Sequence, residues 1–271
     1  MDPELVIDVS AWTGHWGTLP VRGSAAQVRA SLRRVGVDLI CLSPLEGLWC
    51  HNPHLGNAAV YAAARRWSDV LPVPVLDPTI PTWPAQVARA RAAGAPMVRL
   101  VPAYSGIGME RTDPVLAALA EMGMPVVVQV RVEDPRRQHP LAQVPDTPAA
   151  DVVAAARRHP GLTVVLGGAA WRTLLDLRDE ILGLPAFYAD TSQVDGLDSL
   201  RLMVEAGLTE RLVFGSHAPL FVPLAGLARV LTDLQDIAAR AILSGNAQRL
   251  LGPSAVSRPV RPPAEGAGQG R

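Results

Sequence analysis

Seven polar side chains of this 271-residue chain fall where they can act together: Ser10, Arg99, Tyr104, Gln129, Arg131, Asp190 and His217. His217 lies in the turn Gly215-Ser216-His217-Ala218-Pro219, and an imidazole with an ordinary pKa of about 6.5 can take or give a proton near neutral pH. Asp190, in Tyr188-Ala189-Asp190-Thr191-Ser192, can orient that ring by a hydrogen bond that fixes its tautomer and stabilises the imidazolium. Adding Ser10 makes a Ser, His and Asp arrangement. In the competing reading His217 caps a loop and Asp190 bonds backbone amides beside Thr191 and Ser192. Arg99 and Arg131, with Gln129 between them, form a candidate clamp for a carboxylate; the competing arrangement neutralises Arg131 through Glu133 and Asp134 of its own loop. His217 and Asp190 are thus the candidate catalytic residues. Ser10, Arg99, Tyr104, Gln129 and Arg131 are the candidate substrate-binding set.

Other histidines and cysteines carry weaker signals. Leu48-Trp49-Cys50-His51-Asn52-Pro53-His54 holds one Cys and two His, but nothing downstream completes a four-ligand zinc set. His15 and Trp16 follow the first strand and can reach over a binding site. His139 sits in a long loop that runs to about Pro148, a candidate lid or interface. His159 precedes a strand, at the opposite end from such a site.

These residues are positioned by an alternation of Val/Ile/Leu-rich runs with Ala/Arg/Leu-rich segments of helical period, which predicts a parallel sheet covered by helices. Eight runs read as strands: Leu5 to Val9, Asp38 to Leu42, Leu71 to Leu76, Met97 to Val101, Pro125 to Val130, Leu162 to Leu166, Ala186 to Asp190 and Arg211 to Phe214. Helix-stop signals at Gly36, Gly94, Gly123 and Gly161 precede several of them. Ser10-Ala11-Trp12-Thr13-Gly14, after the first strand, has no GxGxxG, so a nucleotide-binding open sheet is disfavoured. Eight units in this length fit an α/β fold, a single (β/α)8 TIM barrel, whose reactive groups lie at the C-terminal ends of the strands. Asp8, Ser10 and Trp12 are expected to share one face of the first strand, by their spacing of two. The barrel is expected over residues 1–252 and a disordered Pro/Gly/Arg tail over 253–271.

Composition excludes whole classes of chemistry. All 25 basic residues are arginine, so Schiff-base catalysis, a P-loop lysine and a carbamylated lysine bridging two metals are ruled out. Twenty-five Asp and Glu balance them to zero net charge, leaving no field to attract nucleic acid or an anionic membrane. Two cysteines, Cys41 and Cys50, make no disulfide framework and fit a reducing cytoplasm. The acidic start, Met1-Asp2-Pro3-Glu4, lacks the pattern of a signal peptide, and no apolar run is long enough for a membrane span.

Ile7-Asp8-Val9, Asp77-Pro78, Val98-Arg99-Leu100, Pro125-Val126-Val127-Val128, His159-Pro160-Gly161 with the run to Gly167, Tyr188-Ala189-Asp190-Thr191-Ser192, Phe214-Gly215-Ser216-His217-Ala218-Pro219 and Ile242-Leu243-Ser244-Gly245-Asn246 occur in an order that resembles the amidohydrolase superfamily, in its amidohydrolase-2 branch of metal-dependent TIM-barrel hydrolases. The likeness runs through most of the chain. It implies a His-x-His pair at the end of the first strand, a His on each of the fifth and sixth, and an Asp on the eighth. Ser10 and Trp12, Gln129, Gly168 and His217 stand at those positions. The resemblance implies the barrel, and the residues depart from its metal chemistry.

The expected function is that of an amidohydrolase-related hydrolase acting on a small carboxylate-bearing or amide/ester-type substrate, with no cofactor and no conventional metal centre. Two alternatives stay open: a catalytically silent barrel that binds a ligand or partner, and a zinc- or manganese-dependent hydrolase or decarboxylase with unusual ligands such as Asp8, His15, Asp190 and His217. A small-molecule partner is expected, without nucleic acid or membrane, and helices rich in Ala and Leu suit a homodimer.

Overall fold

A computed structural model describes residues 5–256, except 18 and 22. Nine short strands alternate with helices: β1 (Ile7–Thr13), β2 (Leu39–Pro44), β3 (Val70–Pro72), β4 (Val75–Leu76), β5 (Val98–Leu100), β6 (Val126–Gln129), β7 (Val164–Gly167), β8 (Phe187–Asp190) and β9 (Leu212–Val213). Every strand pairing is parallel, in the orders β1-β2-β3 and β4-β5-β6-β7-β8-β9. The third strand expected from the sequence is divided into β3 and β4 because Pro72 and Pro74 each lack an amide hydrogen for the ladder. Val73 N still donates to Leu42 O (2.9 Å) and Arg99 N to Pro74 O (2.9 Å), so pairing continues past the break on both sides. At the other seam Val9 N donates to Phe214 O (2.9 Å), His217 N to Ser10 O (3.0 Å) and Trp12 N to Ala218 O (2.7 Å). These bonds close the eight-stranded barrel.

The helices stop as the glycines require. Gly36, Gly94 and Gly123 have φ of 91°, 68° and 59°, the left-handed conformation that ends a helix without a Cβ penalty. Each then releases the chain into β2, β5 or β6.

Alternation along the strands sorts side chains into two cores. Val126, Val128, Val164 and Leu166 face the helices in the larger apolar cluster, while Val127, Val165, Met97, Tyr188, Ile7 and Val9 fill the barrel interior, closed below by Ala247 and Leu250. Two residues beyond Met97, Val127 and Tyr188, the same inward phase delivers Arg99, Gln129 and Asp190. Strand β1 reaches this layer differently. Its register shifts between Asp8 and Ala11, and Ala11 joins the outer cluster although Ile7 and Val9 lie inside. This bulge puts Ser10 and Trp12 inward and separates them from Asp8, so the expected common face of the three residues is not formed.

Pro253–Val256 forms a short helix, and Ala255 and Val256 pack on the interior cluster. Residues 257–271 of the expected tail lie outside the described residues.

Candidate active site

Arg99 organises the C-terminal end of the barrel. Its side chain is fully buried, and its guanidinium donates to Ser10 Oγ (3.4 Å), to Gln129 Oε1 and to the Val9 carbonyl (3.4 Å). The indole of Trp12 lies over it, with Cζ 4.3 Å from the ring centroid, a cation–π contact strengthened by exclusion of water. Burial pulls the Arg99 pKa down to about 10, opposed chiefly by the Asp190 carboxylate. The group therefore keeps its charge at neutral pH. Its Nε has no hydrogen-bond partner among the described residues.

Asp190 supplies the negative charge of this layer. Oδ1 accepts from Gly168 N (3.0 Å), Ser192 N (3.1 Å) and Ser192 Oγ (2.6 Å). Oδ2 is buried and has no partner among the described residues. Three glycines clear the space. A Cβ on Gly167 would stand 2.6 Å from Gln129 Oε1, one on Gly168 2.4 Å from the Arg131 carbonyl, and one on Gly215 2.7 Å from Ser10 Cβ. The close approach of β6, β7, β9 and β1 is thus written in Gly167-Gly168 and Gly215, of which only Gly168 stands at a position that the resemblance assigns to a ligand.

His217 occupies the left-handed region at φ 56°, where the loop after β9 turns its ring inward. Nε2 donates to the Val132 carbonyl (2.6 Å) and Nδ1 accepts from Trp12 Nε1 (3.3 Å). Both nitrogens are therefore used by the neutral ring. Burial holds the His217 pKa down, to about 4. The expected hydrogen bond of the His217 ring to Asp190 is not formed: Asp190 is turned to the β7 and β8 loop amides, and it acts on His217 only through its charge. The Ser10, His217 and Asp190 triad is not assembled, because Ser10 Oγ faces Arg99.

The Arg99 and Arg131 clamp is not formed either. Arg131 is half-buried and paired with Asp146, Nε lying 2.8 Å from Oδ2, a partner from the far end of the long loop and not the neighbouring acids expected for it. Asp134 binds Arg136 instead. Gln129 does bridge the two arginines, accepting from Arg99 and donating to the Arg131 carbonyl (2.6 Å). Tyr104 packs against Trp16 (5.9 Å) and Trp49 (5.1 Å) in an aromatic cap. Its buried hydroxyl has no partner among the described residues, and burial pushes its pKa up.

The remaining candidates are structural. Cys50 Sγ bonds the Glu46 carbonyl (3.0 Å), His54 Nε2 accepts from Asp77 N (3.1 Å), and His159 meets Asp113 (3.2 Å). Asp8 is spent on Ser10 N (3.0 Å), Ser216 N (3.0 Å) and the Ser216 hydroxyl. Burial raises its pKa to about 6. His15 is exposed.

A closed (β/α)8 barrel with a charged, buried layer at the C-terminal ends of its strands defines the architecture of TIM-barrel enzymes. Residues 48–252 match the amidohydrolase family model, and the chain belongs to that family of enzymes. Among solved structures it is similar to an uncharacterised TIM-barrel protein of Bordetella bronchiseptica (19% identity, 93% of this chain and 99% of that one, TM-score 0.70). It is also similar to the 5-carboxyvanillate decarboxylase of Sphingomonas paucimobilis (14%, 92% and 99%, TM-score 0.69). The corresponding enzyme of Novosphingobium aromaticivorans, solved with bound manganese, matches at 12% identity over 92% of this chain and 97% of that one, TM-score 0.68. A search of curated proteins gives no match.

The residues here do not fit such a metal. Of the positions that the resemblance assigns to ligands, Ser10, Trp12 and Gln129 all touch the Arg99 guanidinium, which already places a positive charge among them. Trp12 and Gly168 offer no ligand atom from their side chains. Among the described residues no three His, Cys, Asp or Glu side chains gather to hold a metal, and Asp8, His15, Asp190 and His217 do not form one cluster.

Proposed function

We propose that this amidohydrolase-family chain is a hydrolase- or decarboxylase-type enzyme whose substrate is a small carboxylate-bearing or amide/ester-type molecule, with the charge of Arg99 in place of a conventional metal centre. The observation that supports it is a pair of buried, unpartnered atoms in one polar layer: Arg99 Nε, a donor, and Asp190 Oδ2, an acceptor. Buried polar atoms without partners are a small minority in folded proteins, and a group to be met in catalysis is one reason for keeping them; of those in this chain, Arg99 Nε and Asp190 Oδ2 belong to the layer at the strand ends. In a hydrolytic step Asp190 Oδ2 takes a proton from water as its oxygen attacks the substrate carbonyl, and that proton then passes to the leaving group. Arg99 stabilises the oxyanion that develops. Ser10 and Gln129 hold the guanidinium in place. His217, with both nitrogens engaged, acts as a positioning residue, and the proton-transfer role passes to Asp190. Two free cysteines suit a cytoplasmic enzyme. Among the described residues no helix is long and apolar enough to cross a membrane.

One observation favours the silent-barrel reading. Trp12, Trp16, Leu45, Leu48, Val101 and Val132 form an apolar cluster above the polar layer, and Ser10, Arg99, Gln129, Asp190 and His217 are each fully buried. Assay of the purified chain against esters, lactones, amides and aromatic carboxylates, with a chelator present, separates the readings. Turnover that survives chelation and disappears in Asp190→Asn at unchanged melting temperature supports the enzyme. No turnover of any substrate leaves the silent barrel. Stoichiometric zinc or manganese by elemental analysis, with activity lost on chelation, overturns the metal-free assignment.

A further inference from the structure

A cavity of about 330 Å³ opens at the C-terminal ends of β8 and β9, beside the polar layer, at the lower end of the range for small-molecule sites. Its outer wall is one face of the helix Pro223–Asp233. Val222 at its N-cap, then Ala225, Gly226 and Arg229 line the cavity, the last three at the three- and four-residue spacing of one helix face. The two middle positions carry almost no side chain, and a Cβ on Gly226 would meet nothing nearer than Phe214 at 3.6 Å. A concavity results beside these two positions. Leu220 and Phe221 form the apolar side.

The polar groups around this cavity divide sharply into used and unused. Ser192 Oγ is given to Asp190, Ser216 Oγ to Asp8, and Thr191 Oγ1 accepts from Gly215 N. Arg131 and Arg136 are neutralised by Asp146 and Asp134. Arg137 and Arg229, from two different loop and helix segments, line the same cavity, and neither has a carboxylate within ion-pair distance among the described residues. Asp195 is the one acid on its wall, and it acts on Arg131 and Arg136. Two guanidiniums against one carboxylate leave the cavity with net positive charge.

We propose that this cavity binds the oxyanion of a small molecule with an apolar body, Arg137 and Arg229 holding the carboxylate or phosphate and Phe221 covering the body. Guanidinium forks match both anions in geometry. The assignment deepens the reading of an acidic substrate and rests on it for the ligand's role, although binding itself does not require turnover.

Calorimetric titration of the full chain with benzoate, phenyl phosphate and neutral benzamide tests it. One-to-one binding of benzoate or phenyl phosphate is expected, weakened by salt, with the tighter of the two identifying the anion. Arg137→Gln and Arg229→Gln, both at solvent-accessible positions, should each weaken it at least tenfold at unchanged melting temperature. Ala225→Leu should abolish it by filling the concavity without changing charge. Benzamide binding as tightly as benzoate, no binding of either anion, or an Arg137→Gln/Arg229→Gln double variant within twofold of wild type overturns the site. Anion binding that persists in a chain with no turnover retains this site and removes only the catalytic proposal.

Discussion

The Trp12 indole both covers the Arg99 guanidinium, 4.3 Å from centroid to Cζ, and donates its Nε1 hydrogen to His217 Nδ1 at 3.3 Å. One side chain thereby fixes the cation of the polar layer and the tautomer of the histidine behind it. Trp12→Leu loses the ring face and the donor and leaves a cavity, so it should cost about 3 to 5 kcal/mol. Trp12→Phe keeps a ring over Arg99 and should cost about half as much or less. Chemical denaturation of the two variants measures the difference; equal losses would contradict the cation–π role.

Asp190→Asn preserves a carbonyl oxygen for Gly168 N and Ser192 and removes the charge and the free acceptor at Oδ2. Loss of a positioned general base typically lowers turnover by about 10² to 10⁴. A matching fall in kcat, with KM changed little, is expected on any substrate the chain accepts. A variant that retains wild-type kcat would remove Asp190 from the chemistry.

Two buried groups make opposite contributions to stability between about pH 4 and 6.5. The His217 pKa is depressed on folding, from its ordinary 6.5 to about 4, so the unfolded chain binds the extra proton and stability is lost as pH falls through this window. The Asp8 pKa is raised, from 3.8 to about 6, so the folded chain binds the extra proton and stability is lost as pH rises through it. The two slopes offset each other in the wild type. Urea denaturation at pH 4.5, 5.5 and 6.5 should show Asp8→Asn gaining stability with rising pH and His217→Asn losing it. Parallel slopes in the two variants would contradict this pairing.

Gly168→Ala should be among the most damaging single-methyl changes in the chain. Its φ of 76° and a Cβ 2.4 Å from the Arg131 carbonyl and 2.5 Å from Gln129 Nε2 combine backbone strain with overpacking, about 2 to 5 kcal/mol together. Gly36→Ala shares the left-handed φ, 91°, but has open space around it, and should cost only the conformational part. Their melting temperatures check the comparison.

The barrel itself was legible in the chain. Short continuous apolar runs such as Pro125-Val126-Val127-Val128, preceded by glycines that stop the helices before them, specify strands buried on both faces and their order from local chemistry alone. Alternation along them places Arg99, Gln129 and Asp190 at the strand ends. Their partners were not legible. Arg131 finds Asp146 across its loop because that carboxylate lies within reach after folding, although Glu133 and Asp134 are nearer in sequence. The Asp190 and His217 dyad failed on direction: the loop amides of Gly168 and Ser192 turn Asp190 Oδ1 one way, and the left-handed turn at His217 sends its ring to Val132 and Trp12.

The sequence by itself determined an eight-unit α/β barrel and the absence of lysine, which follow from local periodicity and residue identity, while the substitution of ligand positions was implied by its resemblance to the amidohydrolases. Only the tertiary structure decided that Arg99 lies against Ser10, Trp12 and Gln129. Those contacts depend on the bulge in β1, which changes the phase of the inward residues after Val9, and on barrel closure, which brings residues about 90 and 30 positions from Arg99 to its guanidinium. Hydrophobic periodicity reports which face a side chain takes, whereas the direction and partner of a buried charge are set by the desolvated neighbours that meet it.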